Sequence, residues 1–159
     1  FVKGLAAAAG PARGSVDPGY AFTTFPEVER PAQDAYEQAG IADPRAEISL
    51  AEVHDCFTPT ELVLMEDLGF CNRGQAWKES LSGAFDADGR LPVNIDGGLK
   101  SFGHPVGASG LRMLYEAWLQ LRGEAGPRTA LTHNLGGRPG ACVSFVAVVG
   151  SQLSGSATR

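Results

Sequence analysis

The stretch Ala141–Val149 (ACVSFVAVV) limits the fold more than any other part of this chain. It is apolar throughout except for Ser144 and rich in valine, between Gly140 and Gly150. A short apolar run of this kind is a strand buried on both faces, so it belongs inside a sheet. Arg128–Leu135 reads as a second strand, joined to the first by the turn GGRPG. Phe1–Ala9 is a third, closed by Gly10-Pro11. Ile48–Val53 (ISLAEV) alternates apolar and polar residues and reads as a half-buried strand.

Helices separate these strands. Pro31–Ala39 has Pro31 at the first helical position, Ala32, Ala35, Tyr36 and Ala39 on one stripe, and Gly40 as its stop. Thr58-Pro59-Thr60-Glu61 fits a capping box, followed by Leu64 and Leu68 and the stop Gly69. Val106–Arg122 is the strongest helical pattern, with Leu111, Leu114, Trp118 and Leu121 as its apolar face. Gly10–Pro26 reads as a long loop and Cys71–Gly98 as irregular, with a turn at Asp86–Arg90. The order strand, helix, strand, helix, helix, strand, strand predicts an α/β layer fold closed on one side by a hairpin. Residues 1–150 form one domain, and 151–159 read as a polar tail.

Composition excludes several classes. A net charge of −5 argues against a nucleic-acid surface. No apolar run approaches the roughly 20 residues that span a bilayer. Three cysteines without a CxxC pair give neither a disulfide framework nor a zinc motif, and no secretory signal precedes them. A cytoplasmic location fits best. Beginning with Phe1, the chain is expected to be a piece of something longer.

The candidate chemistry lies in the turns. His54, Asp55 and Cys56 sit between a strand and a helix start, where the positive helix end favours a thiolate. Alone, Cys56 would read as a small core residue, as Cys142 does, and Cys71 as incidental. His104 lies between Gly103 and Gly107, which leave room for a substrate and for backbone donors. His133 and Asn134 precede Gly136-Gly137. Each histidine taken singly is structural; all three in glycine- or cysteine-bearing turns is harder to dismiss. In an α/β sheet these turns can share the rim where ligands bind. A thiol, imidazoles and helix N-termini are the parts of acyl-transfer chemistry. Zinc is the rival, but no histidine pair has i, i+4 spacing. The DxDG at Asp86 lacks the remaining calcium ligands, and Gly107–Gly110 fails the GxSxG pattern.

Together HDCF (54–57), NIDGG (94–98), GHPVGASG (103–110) and HNLGG (133–137) make the chain resemble the C-terminal half of a thiolase, from Phe1 to Gly150. The nearest branch is similar to the sterol-carrier-protein-type thiolases and the bacterial lipid-transfer-protein group. The resemblance implies a thiolase-like C-terminal domain, a mixed five-stranded sheet covered by helices. It implies an acyltransferase such as an acetyl-CoA acetyltransferase of lipid metabolism, acting on 3-oxoacyl-CoA or acetyl-CoA, with coenzyme A as substrate and no cofactor or metal.

In that reading Cys56 is the acid/base that exchanges protons with the substrate α-carbon or the coenzyme A thiol. His104 polarises the thioester oxygen and supports a nucleophilic thiolate, and His54 completes the enolate oxyanion site. His133, Asn134 and the Gly136 backbone line the same pocket, and Asn94, Gly107 and Ser109 join the substrate-binding set. The implied partners are an acyl-CoA, the N-terminal thiolase half that carries the nucleophilic cysteine, a second copy as homodimer, and an OB-fold acyl-CoA-binding subunit. This chain has no candidate for that nucleophile, so alone it is not expected to complete a thiolysis. A large exposed apolar face is expected where the other half would pack.

Two departures point elsewhere. NIDGG carries a carboxylate where NPSGG is familiar, and HNLGGRPG has Arg138-Pro139 where glycines are usual. Some lipid-transfer-protein relatives look like aldolases that cleave β-hydroxyacyl-CoA side chains of steroids. Retention of His54 and His104 favours the thiolase. A non-catalytic acyl-CoA- or partner-binding domain is the third reading.

Overall fold

The computed structural model describes residues 1–12, 17–122 and 128–152. Its strands are β1 (Val2–Ala9), β2 (Leu50–Glu52), β3 (Thr129–Gly136) and β4 (Val143–Gly150), in the spatial order β1-β4-β3-β2. The apolar run thus lies inside the sheet. β4 pairs antiparallel with β1 and β3, and β2 pairs parallel with β3. The helices are α1 (Pro26–Ala39), α2 (Pro44–Glu47), α3 (Thr58–Asp67), α4 (Ala76–Leu81), α5 (Gly98–Phe102) and α6 (Ser109–Leu121).

Alternation along the strands divides the core in two. Leu131, Val146 and Val148 face α1 and α3, where Val28, Ala32, Ala35, Leu64, Met65 and Leu68 are buried. Tyr36 closes that layer by donating its hydroxyl to the Leu68 carbonyl at 2.7 Å. On the other side Leu50, Ala130 and Val149 meet Ala117 of α6.

Several expectations need correction. The sheet has four strands among the described residues, not five. Beyond β2 the described residues contribute one parallel bridge, Ala51 with Val93. Pro92 lacks an N–H, and Asn94 is left-handed at φ 50°, so the extended run cannot continue on either side. β2 is shorter than Ile48–Val53 and wholly buried, not half-buried, because helices cover both its faces.

α1 starts at Pro26, with Glu27 and Glu29 in its first turn, and Pro31 lies inside it. Thr58 does not cap α3: Phe57 holds the cap position without a side-chain bond, and Glu61 accepts from Asn94 Nδ2 at 2.9 Å instead. The stretch Cys71–Gly98 contains α4, and the Asp86 turn closes by Gly89 N donating to Asp86 O at 2.8 Å. α6 starts at Ser109 because Pro105–Ala108 forms a turn on the Pro105 carbonyl.

The buried stripe of α6 is Met113 and Ala117, flanked by Leu114 and Leu121. Leu111 and Trp118, expected in the core, are 69% and 49% exposed. With Tyr115 and Leu119 they give α6 an outward apolar face, and Trp118 shares a groove with Phe1 and Val2. No helix among the described residues is long and apolar enough to cross a membrane. Of the expected tail, residues 153–159 lie outside the described residues.

α1 reaches β1 through one glycine. A Cβ on Gly4 would stand 2.1 Å from the Ala35 carbonyl oxygen, a backbone atom that cannot rotate away. Gly4→Val is therefore expected to lower the unfolding free energy by about 2 kcal/mol, the scale of overpacking. Urea denaturation would show it as a lower midpoint; an unchanged midpoint would mean that α1 does not rest on β1 this closely.

Candidate active site

The site grows from the end of β2. Asn94 ties that end down: its Oδ1 accepts from Val53 N at 2.8 Å while its Nδ2 reaches Glu61 of α3. The next residue, His54, is 4% exposed and turns to the α6 side of the sheet. Its ring meets that of His104 edge to face, with centroids 4.8 Å apart at 73°.

His104 arrives by a different route. Asp55 accepts from Leu99 N at 3.0 Å, and Asp96 accepts from Gly98 N at 2.8 Å, so two carboxylates hold the start of α5. Gly98 has φ 59°, and a Cβ there would sit 2.2 Å from Asp55 Oδ2. Both the backbone conformation and the close approach require glycine. After α5, His104 Nδ1 lies 2.7 Å from Ser109 Oγ, which donates to the Pro105 carbonyl at 3.2 Å. With its proton given to Pro105, the buried Ser109 hydroxyl accepts from Nδ1–H. That tautomer leaves Nε2 with a free lone pair.

His54, Cys56, His104, Asn134 and Gly136 line one pocket of about 770 Å³. Its rim is apolar, from Leu99, Val106, Leu135 and Phe145, with Lys100 as its cation. Cys56 is half-buried ahead of α3, its Sγ 3.9 Å from Thr60 Oγ1. Asn134 fits under α6 because Gly110 is bare: a Cβ there would stand 2.9 Å from Asn134 Nδ2. Burial first, and His104 second, hold the His54 pKa below the ordinary imidazole value, against an opposing pull from Asn134 and Asp55. Among the described residues no three His, Cys, Asp or Glu side chains are grouped as metal ligands.

Four residues expected in the pocket are not part of its lining. His133 is fully buried on the opposite face of β3 from Asn134, with Nε2 3.1 Å from Ser144 Oγ. Asn94 spends both ends of its amide on Val53 and Glu61. Ser109 stands behind His104. Gly107 is exposed, and a Cβ there would meet nothing within 4 Å. Sequence reasoning also missed the clamp that Asp55 puts on α5, and the buried pair of Glu52 with Arg112 at 3.6 Å. The alternating pattern of Ile48–Val53 gave no signal for Glu52, since a glutamate at a polar position of such a strand reads as solvent-facing.

Residues 19–150 match the family model described as thiolase C-terminal domain-like. An acetyl-CoA acetyltransferase of Methanothermobacter thermautotrophicus is 42% identical over 115 residues, 69% of this chain and 30% of that protein. Sterol carrier protein 2 of Homo sapiens is 42% identical over 111 residues, 66% of this chain and 20% of that protein. The solved Ltp2-ChsH2(DUF35) aldolase superposes with a TM-score of 0.76 at 26% identity, covering 96% of this chain and 40% of that one. The chain therefore spans less than half the length of each.

The buried histidines set a pH dependence. Burial, and then His54, push His133 down to about 3 from the ordinary 6.5. Between those values the unfolded chain binds a proton that the folded chain refuses, so stability falls as pH drops through this window. The slope is about 1.4 kcal/mol per pH unit for one proton. His54 acts in the same direction. Glu52, pushed up to about 7 by burial, acts oppositely between 4.5 and 7. His133→Asn is expected to flatten the acid side by about one proton. Urea midpoints at several pH values between 4.5 and 6.5 measure it, and an unaltered slope would contradict a neutral His133.

Proposed function

The chain belongs to the thiolase family as its C-terminal domain, and on that premise we propose that it is the C-terminal catalytic half of an acyl-CoA C-acyltransferase acting on 3-oxoacyl-CoA or acetyl-CoA. The observation that carries the proposal is the pocket shared by Cys56, His54 and His104, residues from two distant segments.

In the degradative direction a cysteine thiol of the N-terminal half gives its proton to His104 Nε2 and attacks the 3-oxo carbon. The resulting imidazolium donates at both nitrogens, so Nε2–H supports the developing oxyanion while Ser109 holds Nδ1–H. The C2–C3 bond then breaks, leaving an acyl-enzyme and the enolate of acetyl-CoA. His54, kept neutral by burial, offers its ring N–H to the enolate oxygen without placing a second full charge beside His104. Cys56 protonates the enolate carbon. The Cys56 thiolate next takes the proton of free coenzyme A, whose sulfur attacks the acyl-enzyme; the acyl–cysteine bond breaks, the shortened acyl-CoA leaves, and the departing cysteine thiolate takes back its proton from His104 Nε2. No metal or redox cofactor enters these steps. The N-terminal half and a second copy of the enzyme complete the assembly under this reading.

A second reading follows from the structural likeness to the Ltp2-ChsH2(DUF35) aldolase. A lyase would cleave a β-hydroxyacyl-CoA by retro-aldol chemistry without an acyl-enzyme, alongside an OB-fold acyl-CoA-binding subunit. The two imidazoles at 4.8 Å favour the acyltransferase, which needs both.

Joined to its N-terminal half, the enzyme is expected to cleave a 3-oxoacyl-CoA only when free coenzyme A is supplied. Cys56→Ala should lower kcat by about two orders of magnitude or more, the scale of a lost proton-transfer group. Release of an aldehyde or ketone without free coenzyme A would establish the lyase instead. An undiminished rate in Cys56→Ala would remove Cys56 from the mechanism.

A further inference from the structure

Arg112 stands on α6 three residues after Ser109, so the two side chains leave the same face of the helix. Ser109 holds His104. Arg112 holds three other groups. Its Nη1 pairs with the Asp96 carboxylate, and its guanidinium lies 4.8 Å from the centroid of the Phe102 ring. Its Nη2 lies 3.6 Å from Glu52 Oε2. These partners come from two segments. Glu52 ends β2 two residues before His54, while Asp96 and Phe102 bracket the segment that delivers His104.

We propose that Arg112 is a positioning residue that fixes the spacing of the two pocket histidines, anchoring the His54 strand through Glu52 and the His104 segment through Asp96 and Phe102. The proposal rests on the reading of these histidines given above. The Glu52 side chain has no exposure, that of Asp96 5% and that of Arg112 18%. Charges so far from water interact strongly, and removing one leaves the others uncompensated. Without Arg112, the carboxylates of Glu52 and Asp96 face the same small volume with nothing between them. A planar guanidinium meets carboxylates on two elements in a fixed geometry while its face lies on Phe102; an ammonium on a flexible stem lacks that pre-organisation. The carboxylate in NIDGG thereby has a partner: Asp96 turns one oxygen to the Gly98 amide and the other to Arg112. A histidine displaced by about 1 Å can lose up to a hundredfold in rate, so a brace of this kind acts on turnover.

The test uses the complete enzyme, with its N-terminal half, and the variants Arg112→Lys and Asp96→Asn. Arg30→Ala, which removes an exposed i, i+4 pair with Asp34, is the control. The readouts are kcat, KM and the ¹⁵N shifts of the histidine rings. In the unaltered enzyme His104 should show the Nδ1–H tautomer. Both variants are expected to lower kcat about tenfold or more, to leave KM within about threefold, and to move His104 toward a mixture of tautomers. Arg30→Ala should change none of these. A kcat within twofold and unshifted His104 signals in both variants would overturn the proposal. If Arg112→Lys does not fold, Asp96→Asn alone decides by the same criteria. If the unaltered enzyme turns over no 3-oxoacyl-CoA, the acyltransferase reading fails while the His104 signals still decide the role of Arg112.

Discussion

Three residue pairs between β2 and β3 carry the geometry of the whole site: Leu50 with Ala130, Ala51 with Leu131, and Glu52 with Thr132. Because this pairing is parallel, the residues that follow each strand emerge at the same end. His54 therefore leaves the sheet beside Asn134, a neighbour it could not have in an antiparallel arrangement. Parallel pairs need a long crossover, and here the crossover is most of the chain between Val53 and Thr129. The segments it contains, α3 after Cys56 and the Asp96–His104 stretch, are in that sense the connection between two neighbouring strands. A three-residue strand is a weak anchor by itself. Its edge is reinforced by the Val93 bridge and then by the Asn94 side chain, which continues the ladder where the backbone has turned left-handed.

The parts of this arrangement that were legible in the sequence are those fixed by residue type along the chain. The apolar run 141–149 could only be an inner strand, and Cys56, His54 and His104 sat in turns that an α/β sheet gathers at one rim. What could not be read was parity and facing. His133 and Asn134 are adjacent in sequence, yet one lines the pocket and the other lies under the sheet against Ser144. Only the register with β4 decides which. The same holds on α6, where Leu111 and Trp118 match the helical period but point outward while Met113 and Ala117 pack. Two apolar faces on one helix give no sequence signal for which is inside. Asn94 entered the substrate-binding set through the resemblance of its NIDGG motif. In the structure its amide bonds Val53 and Glu61, because a left-handed residue at the end of a bridge leaves backbone groups to be satisfied.

Burial also sorts the three imidazoles by charge. His133 and His54 are held toward the neutral form by their surroundings, while His104 is exposed and bonded through Nδ1. Two neutral rings next to the pocket raise the cost of a positive charge only where the protein shields it from water. Of the two rings that meet at the pocket, His54 is thus the one whose surroundings hold it toward the neutral form.

α6 joins these two themes. Its inward face supplies Ser109, Gly110 and Arg112, which respectively hold His104, admit Asn134 and brace Glu52 and Asp96. Its outward face presents Leu111, Tyr115, Trp118 and Leu119 to solvent. Contiguous exposed apolar side chains of this kind mark surfaces that pack on something else. Under the proposed function, the N-terminal half of the enzyme is the candidate to cover it. The helix that sets the histidines would then be gripped from both sides, and its position against the sheet would be settled only in the assembled enzyme. One thirteen-residue element thus carries both the inward contacts that shape the pocket and the largest outward apolar face of the helix layer.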